Sequence, residues 1–444
     1  MNVLITGASG FLGHHLMLAL QAAGHCVRGV ARHAPAKPVL GASYVLLDFN
    51  QACTADDWTD ALAGIDVVIN AVGILKEARG QRFDAIHTRA PQALFAAAAR
   101  AGVPRIIQIS ALGADTAAQS DYHRSKRAAD DFLADLPLSS TILYPSLVYG
   151  PTGRSARFFG MTASLPLIPL PGRGQQQVQP VHVDDLVDAV LVLVQHPADT
   201  LPHRLAVVGP EPLALRDFYA GLRAALAIDR PARFLPVPMP LVRAAARLGG
   251  KMPGGLLDAD TLAMLERGST ADAAPLAALL RRAPRTVADF VPAEHARAEG
   301  MRARLAWLLP LLRWSIALVW IVTAIVSFGV YPVEDSYALL ARAGVPSALL
   351  GLALYGAALM DLVFGLCALL PRRVRWLWLA QLALVLGYTA IITLRLPEFW
   401  LHPYGPVLKN LPFLAALWML YELDPEPGQK ADQQTDRQTR STTR

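Results

Sequence analysis

The chain has 444 residues, more than one ordinary domain uses, so two or more domains are expected. Apolar residues make up 53%, high for a wholly soluble protein, and the net charge of +6 shows no basic stripe interleaved with aromatics, which argues against a nucleic-acid partner. The three cysteines, Cys26, Cys53 and Cys367, lie too far apart for a disulfide framework or a metal-ligand set, so a reducing compartment and no metal are expected.

Asn2 to Thr6 reads as a buried strand into which Met1 runs directly, with no signal peptide expected. Gly7, Gly10 and Gly13 follow at three-residue spacing, and Phe11–Ala23 then carries Leu12, Leu16 and Leu20 at helical period. Strand, glycine turn and helix together form a nucleotide-binding context: the glycines admit a pyrophosphate, which sits at the helix N-terminus. Further strands are predicted at Cys26–Ala31, Tyr44–Asp48, Asp66–Ala71, Arg105–Ser110 and Ser140–Tyr144. Helices are predicted at Ala55–Ala63, Arg82–Ala101 and Asp121–Ala134. Continuously apolar runs such as Val67-Val68-Ile69 mark a parallel sheet covered on both faces. The fold class is therefore α/β, a doubly wound parallel Rossmann sheet with a small substrate lobe, followed by an all-α four-helix transmembrane bundle.

The lobe is expected from Pro145 to about Pro292, where proline and glycine become frequent, with helices at Asp184–Gln195 and Leu215–Ala227. Beyond it, Trp307–Tyr331, Ser347–Leu370, Trp376–Leu394 and the shorter Val407–Leu423 read as four membrane spans. Arg297, Arg302 and Arg304 before the first span, and Arg372, Arg373 and Arg375 between the second and third, place the Rossmann domain and both termini in the cytoplasm of an inner-membrane protein. The domains are drawn at residues 1–300 and 301–424, with a disordered polar tail at 425–444.

Tyr122 and Lys126 stand i, i+4 on one helix face. An ammonium beside a phenol lowers the phenol pKa and makes Tyr122 a usable general acid or base. Asp361 lies inside the second span, at a depth that predicts an ion pair with Arg313 of the first.

Thr6-Gly7-Ala8-Ser9-Gly10-Phe11-Leu12-Gly13 and Tyr122-His123-Arg124-Ser125-Lys126 together resemble the short-chain dehydrogenase/reductase superfamily. Val68–Leu75, Ile109–Ala114 and Gln179–Asp185 resemble its atypical branch, which includes the nucleotide-binding accessory subunit of mitochondrial complex I. The resemblance covers roughly residues 1–292. It implies that Gly7, Gly10 and Gly13 bind pyrophosphate, that Asp48 meets the adenine edge, that Asn70, Ala71 and Gly73 wall the adenine–ribose side, and that Ser9, Phe11, Leu12 and Val72 also bind the cofactor. It also implies that Tyr122 donates a proton to a substrate carbonyl, that Lys126 holds the nicotinamide ribose, and that Tyr144 and Pro145 border the nicotinamide end.

Superfamily reductases carry a serine that binds the substrate oxygen. Here Ser110 is followed by Ala111, so Ser110 is either that catalytic serine or a core residue one position out of phase, with Ser120 a weaker stand-in. Arg32 ends the second strand with no acid nearby, which favours NADP(H) over NAD(H). Glu398–Pro412 resembles the DoxX-like four-helix membrane family, across about Leu305–Leu423. The expected function is a membrane-anchored NADP(H)-dependent oxidoreductase acting on a hydrophobic carbonyl or hydroxyl substrate such as a quinone, isoprenoid or lipid precursor. The alternatives are a non-catalytic nucleotide-binding scaffold or redox sensor in a membrane-protein complex, and an epimerase or dehydratase on a nucleotide- or lipid-linked sugar.

Overall fold

The computed structural model describes residues 1–78, 80–197, 202–249, 258–370 and 375–424. The Pro371–Val374 part of the predicted basic loop and the predicted tail lie outside the described residues. The chain divides into two compact units, Met1–Arg304 and Leu305–Arg444.

The first unit is built on seven parallel strands: β1 (Asn2–Thr6), β2 (Cys26–Ala31), β3 (Ser43–Leu46), β4 (Val67–Asn70), β5 (Arg105–Ile109), β6 (Ser139–Pro145) and β7 (Arg204–Val207). Their order is β7-β6-β5-β4-β1-β2-β3, so chain direction across the sheet reverses between β1 and β4. Such a reversal leaves a crevice at the carboxyl ends of the strands. β7 is an addition to the sequence reading, which placed its residues in the lobe. A four-residue strand in a proline- and glycine-rich stretch carries too short an apolar run to stand out.

Alternate side chains of each strand feed two cores, as period-2 geometry requires. Val3, Ile5, Ile69, Ile107 and Leu143 face Leu16, Met17 and Leu20 of α1 (Phe11–Ala22) together with Leu186 and Val190. Leu4, Val68, Ile106 and Ile142 face Trp58, together with Leu94 and Phe95 of α2 (Ala90–Arg100) and Leu133 of α3 (Asp121–Ala134). The predicted helix from Arg82 starts as a π-helical turn, Asp84–Arg89, before α2. In the lobe, Ile168–Pro171 pairs in parallel with Phe234–Val237 over a cluster containing Phe218, Leu222 and Phe290. The chain then enters α4 (Met239–Gly249).

The second unit contains most of α5 (Ala293–Ile325), with α6 (Leu350–Leu369), α7 (Arg375–Arg395) and α8 (Asn410–Leu423). Among the described residues, three helical stretches are long and apolar enough to cross a membrane: Ala293–Val330, Ser347–Leu369 and Arg375–Arg395. α8, the fourth predicted span, has 14 residues and reaches only about 21 Å at 1.5 Å per residue, short of a bilayer core of about 30 Å. A Cβ on Gly365 of α6 would lie 2.6 Å from Ile321 Cγ1 and 3.1 Å from the Ala317 carbonyl oxygen of α5, so glycine lets the two helices touch.

The predicted Arg313–Asp361 pair does not form. Arg313 lies 3.6 Å from Asp424 and over the Trp378 ring, whose Nε1 donates to Asp424 at 2.8 Å. Asp361 is buried, and its Oδ1 has no hydrogen-bond partner among the described residues. Rise per residue fixes depth along a helix but not direction around it, and Arg313 is taken up by Asp424 and Trp378 instead.

Candidate nucleotide-binding and active site

The glycine turn fits a dinucleotide. Gly7 has φ +66, and a Cβ there would lie 3.0 Å from both the Ala71 carbonyl oxygen and Val72 Cα; a Cβ on Gly13 would lie 2.1 Å from the Gly7 carbonyl oxygen. No side chain larger than hydrogen fits either place. Gly10 caps α1 without a side-chain hydrogen bond, and the first turn holds no acid, so the leading N–H groups suit an anion. Ser9 and Gly10 are exposed at the turn, while Phe11 and Leu12 are half-buried. Phe11 packs beneath Gly150, where a Cβ would meet its ring at 2.7 Å.

Arg32 is exposed at the end of β2. With the Gln81 amide oxygen turned toward it, the guanidinium donates twice, at 2.9 and 3.0 Å. Asp48, just past β3, accepts from the backbone and side-chain nitrogens of Asn50 at 3.0 and 2.9 Å, which closes a local turn. Tyr144 is half-buried, and the Pro145 carbonyl accepts from the Leu112 N–H at 2.9 Å.

A row of buried polar side chains crosses the sheet beneath this edge. Thr6, Asn70 and Gln108 are cross-strand partners on β1, β4 and β5. Thr6 Oγ1 donates to Asn70 Oδ1 at 2.5 Å, Asn70 Nδ2 to Gln108 Oε1 at 2.7 Å, and Gln108 Nε2 to Asp130 Oδ1 on α3 at 3.2 Å. Ser110 Oγ donates to the other Asp130 oxygen. Asn70 is therefore held at both ends of its amide, its side chain buried in the sheet. Ser110 is 4% exposed and bound to Asp130, the core alternative of the two offered by the sequence. Ala111, also buried, supplies no hydroxyl. Ser120 caps α3, accepting from the His123 N–H at 3.2 Å.

Lys126 is buried and donates to the carbonyls of Val72 and Ile109, each at 3.1 Å. A Cβ on Gly73 would sit 3.3 Å from its Nζ, so Ala71, Val72, Gly73 and Lys126 converge at the ends of β4 and β5. Burial lowers the Lys126 pKa to about 8, against the raising effect of Asp130. Asp130 is itself pushed up to about 6 by burial, despite the Ser110 hydrogen bond and the Lys126 charge.

Tyr122 is half-buried and meets the rings of Phe83, His87 and His123 edge-on, at centroid distances of 6.1, 5.5 and 5.3 Å. Burial first, then the Asp130 charge, push its pKa up to about 12, the opposite direction to the lowering expected from Lys126, so the phenol keeps its proton. His87 sits on the π-helical turn. Its Nε2 accepts from the Ile74 N–H at 2.9 Å, and its Nδ1 lies 3.0 Å from Ser125 Oγ, which donates to the Tyr122 carbonyl at 2.8 Å. This is the neutral ring with its proton on Nδ1; burial first, then Lys126, lower its pKa to about 2.

Asp130, Gln108 and His87 are absent from the sequence reading. Asp130 continues the Tyr122, Lys126 spacing by four, and Gln108 is a lone amide in an apolar strand; both were signals available in the sequence.

Residues 3–209 match the NAD dependent epimerase/dehydratase family, and residues 317–418 match the DoxX-like family. A ceramide reductase of Caulobacter vibrioides is 32% identical over 201 residues, 44% of this chain and 61% of that protein. A mitochondrial NADH dehydrogenase [ubiquinone] 1 alpha subcomplex subunit 9 of Arabidopsis thaliana is 28% identical over 251 residues, 54% of this chain and 61% of that protein. The chain thus spans about three fifths of the length of these two relatives. Among solved structures, a nucleoside-diphosphate-sugar epimerase of Staphylococcus aureus superposes with TM-score 0.53 at 18% identity, covering 65% of this chain and 99% of that one. At that identity the likeness concerns the fold alone. The chain joins an NAD dependent epimerase/dehydratase-type Rossmann domain to a DoxX-like domain.

Proposed function

We propose that this chain is a membrane-anchored, NADP(H)-dependent oxidoreductase that exchanges hydride with a carbonyl or hydroxyl group of a hydrophobic, bilayer-dissolved substrate. The observation that carries it is that Lys126, four residues after Tyr122 on α3, is fixed to the Val72 and Ile109 carbonyls at the strand ends beside the glycine turn, in a chain that also has membrane-length apolar helices. The bound dinucleotide supplies the hydride. Gly7, Gly10 and Gly13 hold its pyrophosphate, Arg32 takes the 2′-phosphate, and Lys126 reaches the nicotinamide ribose while fixed to Val72 and Ile109. Tyr122 gives its proton to the substrate oxygen in the reducing direction and recovers it in the oxidising one. The ceramide reductase among the relatives supports a long-chain lipid as substrate class.

The proposed organisation is residues 1–300 as the nucleotide domain with lobe and 301–424 as the membrane domain. α8 packs as the short fourth span, and Arg297, Arg302 and Arg304 hold the nucleotide domain on the cytoplasmic side. Full-length protein in lipid nanodiscs with membrane lipid extract should oxidise NADPH, and Tyr122→Phe should lower turnover by about 10²-fold or more with unchanged NADPH affinity. Equal turnover in the variant would remove Tyr122 from the reaction.

A second reading, a nucleotide-holding scaffold in a membrane complex, draws on the commitment of Ser110 to Asp130 and on the complex I relative. It predicts that deletion disrupts a membrane assembly and that Tyr122→Phe restores it. Product analysis separates both from an epimerase or dehydratase, which returns the cofactor unchanged.

A further inference from the structure

α4 buries one narrow face, Val242 and Ala246 against Leu262, Val237 and Met239. The opposite side exposes Leu241, Ala244, Ala245 and Leu248, spaced i, i+3, i+4, i+7, with Leu241 61% and Leu248 66% exposed. A helix with two apolar faces has a second partner to find. In the strand pair that precedes the helix, Leu235, 46% exposed, and Pro169 opposite it add further exposed apolar residues.

The charge of the helix selects the partner. Residues 239–249 contain Arg243 and Arg247 and no acid. Arg243 meets Glu266 at 2.9 Å from the neighbouring helix and remains more than half exposed. Apolar residues flanked by arginine fit the boundary of an anionic bilayer, where stems lie along acyl chains and guanidinium groups reach phosphates.

The helix also walls a cleft whose lining includes two neighbours of Tyr122, Phe83 and Ser125. Ala246 and Arg247 line an open cleft of about 900 Å³ together with Leu75, Phe83, Ser125 and Ala128 and with charged residues of both signs, among them Asp84, Asp121, Arg124, Asp258 and Asp260. The Phe83 ring meets Tyr122 edge-on, and Ser125 is bonded to the Tyr122 carbonyl.

We propose that α4 lies in the surface of an anionic bilayer, with Leu241, Ala244, Ala245 and Leu248 at the acyl boundary and Arg243 and Arg247 on lipid phosphates, so that the cleft beneath it opens to membrane-dissolved substrate. The last clause rests on the proposed function; the bilayer contact does not. Burial of four apolar side chains and two phosphate contacts add to the tether that the chain's own spans provide.

The test places a nitroxide at Leu241→Cys or Leu248→Cys, in full-length protein with Cys26, Cys53 and Cys367 replaced by serine. The protein is reconstituted in nanodiscs of phosphatidylcholine with phosphatidylglycerol, with Asp60→Cys as the exposed control. The ratio of accessibility to oxygen over a water-soluble nickel chelate should be several-fold higher at 241 and 248 than at 60, and should fall in phosphatidylcholine alone. Ratios equal to that of the control would overturn the proposal. If the cysteine-free chain does not fold, a benzophenone side chain at 248 of the native chain should crosslink to lipid; a crosslinked second copy, or a crosslink within the chain, would overturn it. Neither readout needs turnover, so lipid contact without NADPH oxidation defeats the substrate reading alone.

Discussion

One buried polar row of the Rossmann unit and one buried acid of the membrane unit stand in opposite conditions. In the Rossmann unit, Thr6, Asn70, Gln108, Asp130 and Ser110 form one row in which each side chain has its partner. In the membrane unit, Gln381 Oε1 accepts from Trp320 Nε1 at 2.8 Å, but Gln381 Nε2 and Asp361 Oδ1 are buried without partners among the described residues. A satisfied row rigidifies the strand ends that carry the nucleotide loop, whereas an orphaned group in an apolar bundle is a cost retained for something other than stability. Mutation should therefore have opposite consequences in the two places.

The largest effect is expected at Asp130. Asp130→Ala strands Ser110, Gln108 and the Lys126 charge in the core and should cost about 3–5 kcal/mol, read as a fall in the melting temperature of the nucleotide domain. Asp130→Asn keeps the contacts and should cost less. pH sharpens this. Burial raises the folded Asp130 pKa to about 6 from 3.8, so the folded state holds this proton more tightly than the unfolded chain. Its contribution is fully present below about pH 4 and is lost as pH rises through about 6. The stability of the native protein relative to Asp130→Asn should fall across that window; a difference independent of pH would contradict the assignment. His87, whose folded pKa is lowered, loses its contribution as pH falls below about 6.5, so only the comparison with the variant isolates Asp130.

A smaller effect is expected at Arg32. Arg32→Ala should weaken NADPH binding by about 10- to 100-fold, the worth of a charge-assisted contact, and leave NADH nearly unchanged. Equal losses for both nucleotides would place Arg32 away from the 2′-phosphate. The smallest is expected in the membrane unit, where Asp361→Leu removes an orphan and strands no partner. The melting temperature in detergent should stay the same or rise. A large drop would show that Asp361 has a partner in the working state and would erase the contrast with Asp130.

The sheet was legible because its strands are continuously apolar and punctuated by glycine turns: β2 and α3 were read to the residue, and most other strand ends to within one or two. β7 escaped because its strand character comes from pairing with β6, a long-range contact with no local signature. At the site, Gly7, Gly13, Tyr122 and Lys126 announced themselves by spacing. Ser110 was left between a catalytic and a core orientation, because a strand residue faces whichever layer its register dictates, and its bond to Asp130 gives the core one. Arg313 met Asp424 instead of Asp361 because sequence gives depth in a span but not rotation.

The central claim is that the Rossmann domain turns over its cofactor. The most direct test is a titration of full-length protein in nanodiscs with NADPH and NADH, followed by addition of membrane lipid extract. Tighter NADPH binding, with oxidation that disappears in Tyr122→Phe, is the predicted result. A nucleotide that stays bound through purification and is never oxidised would contradict it and point to a structural cofactor.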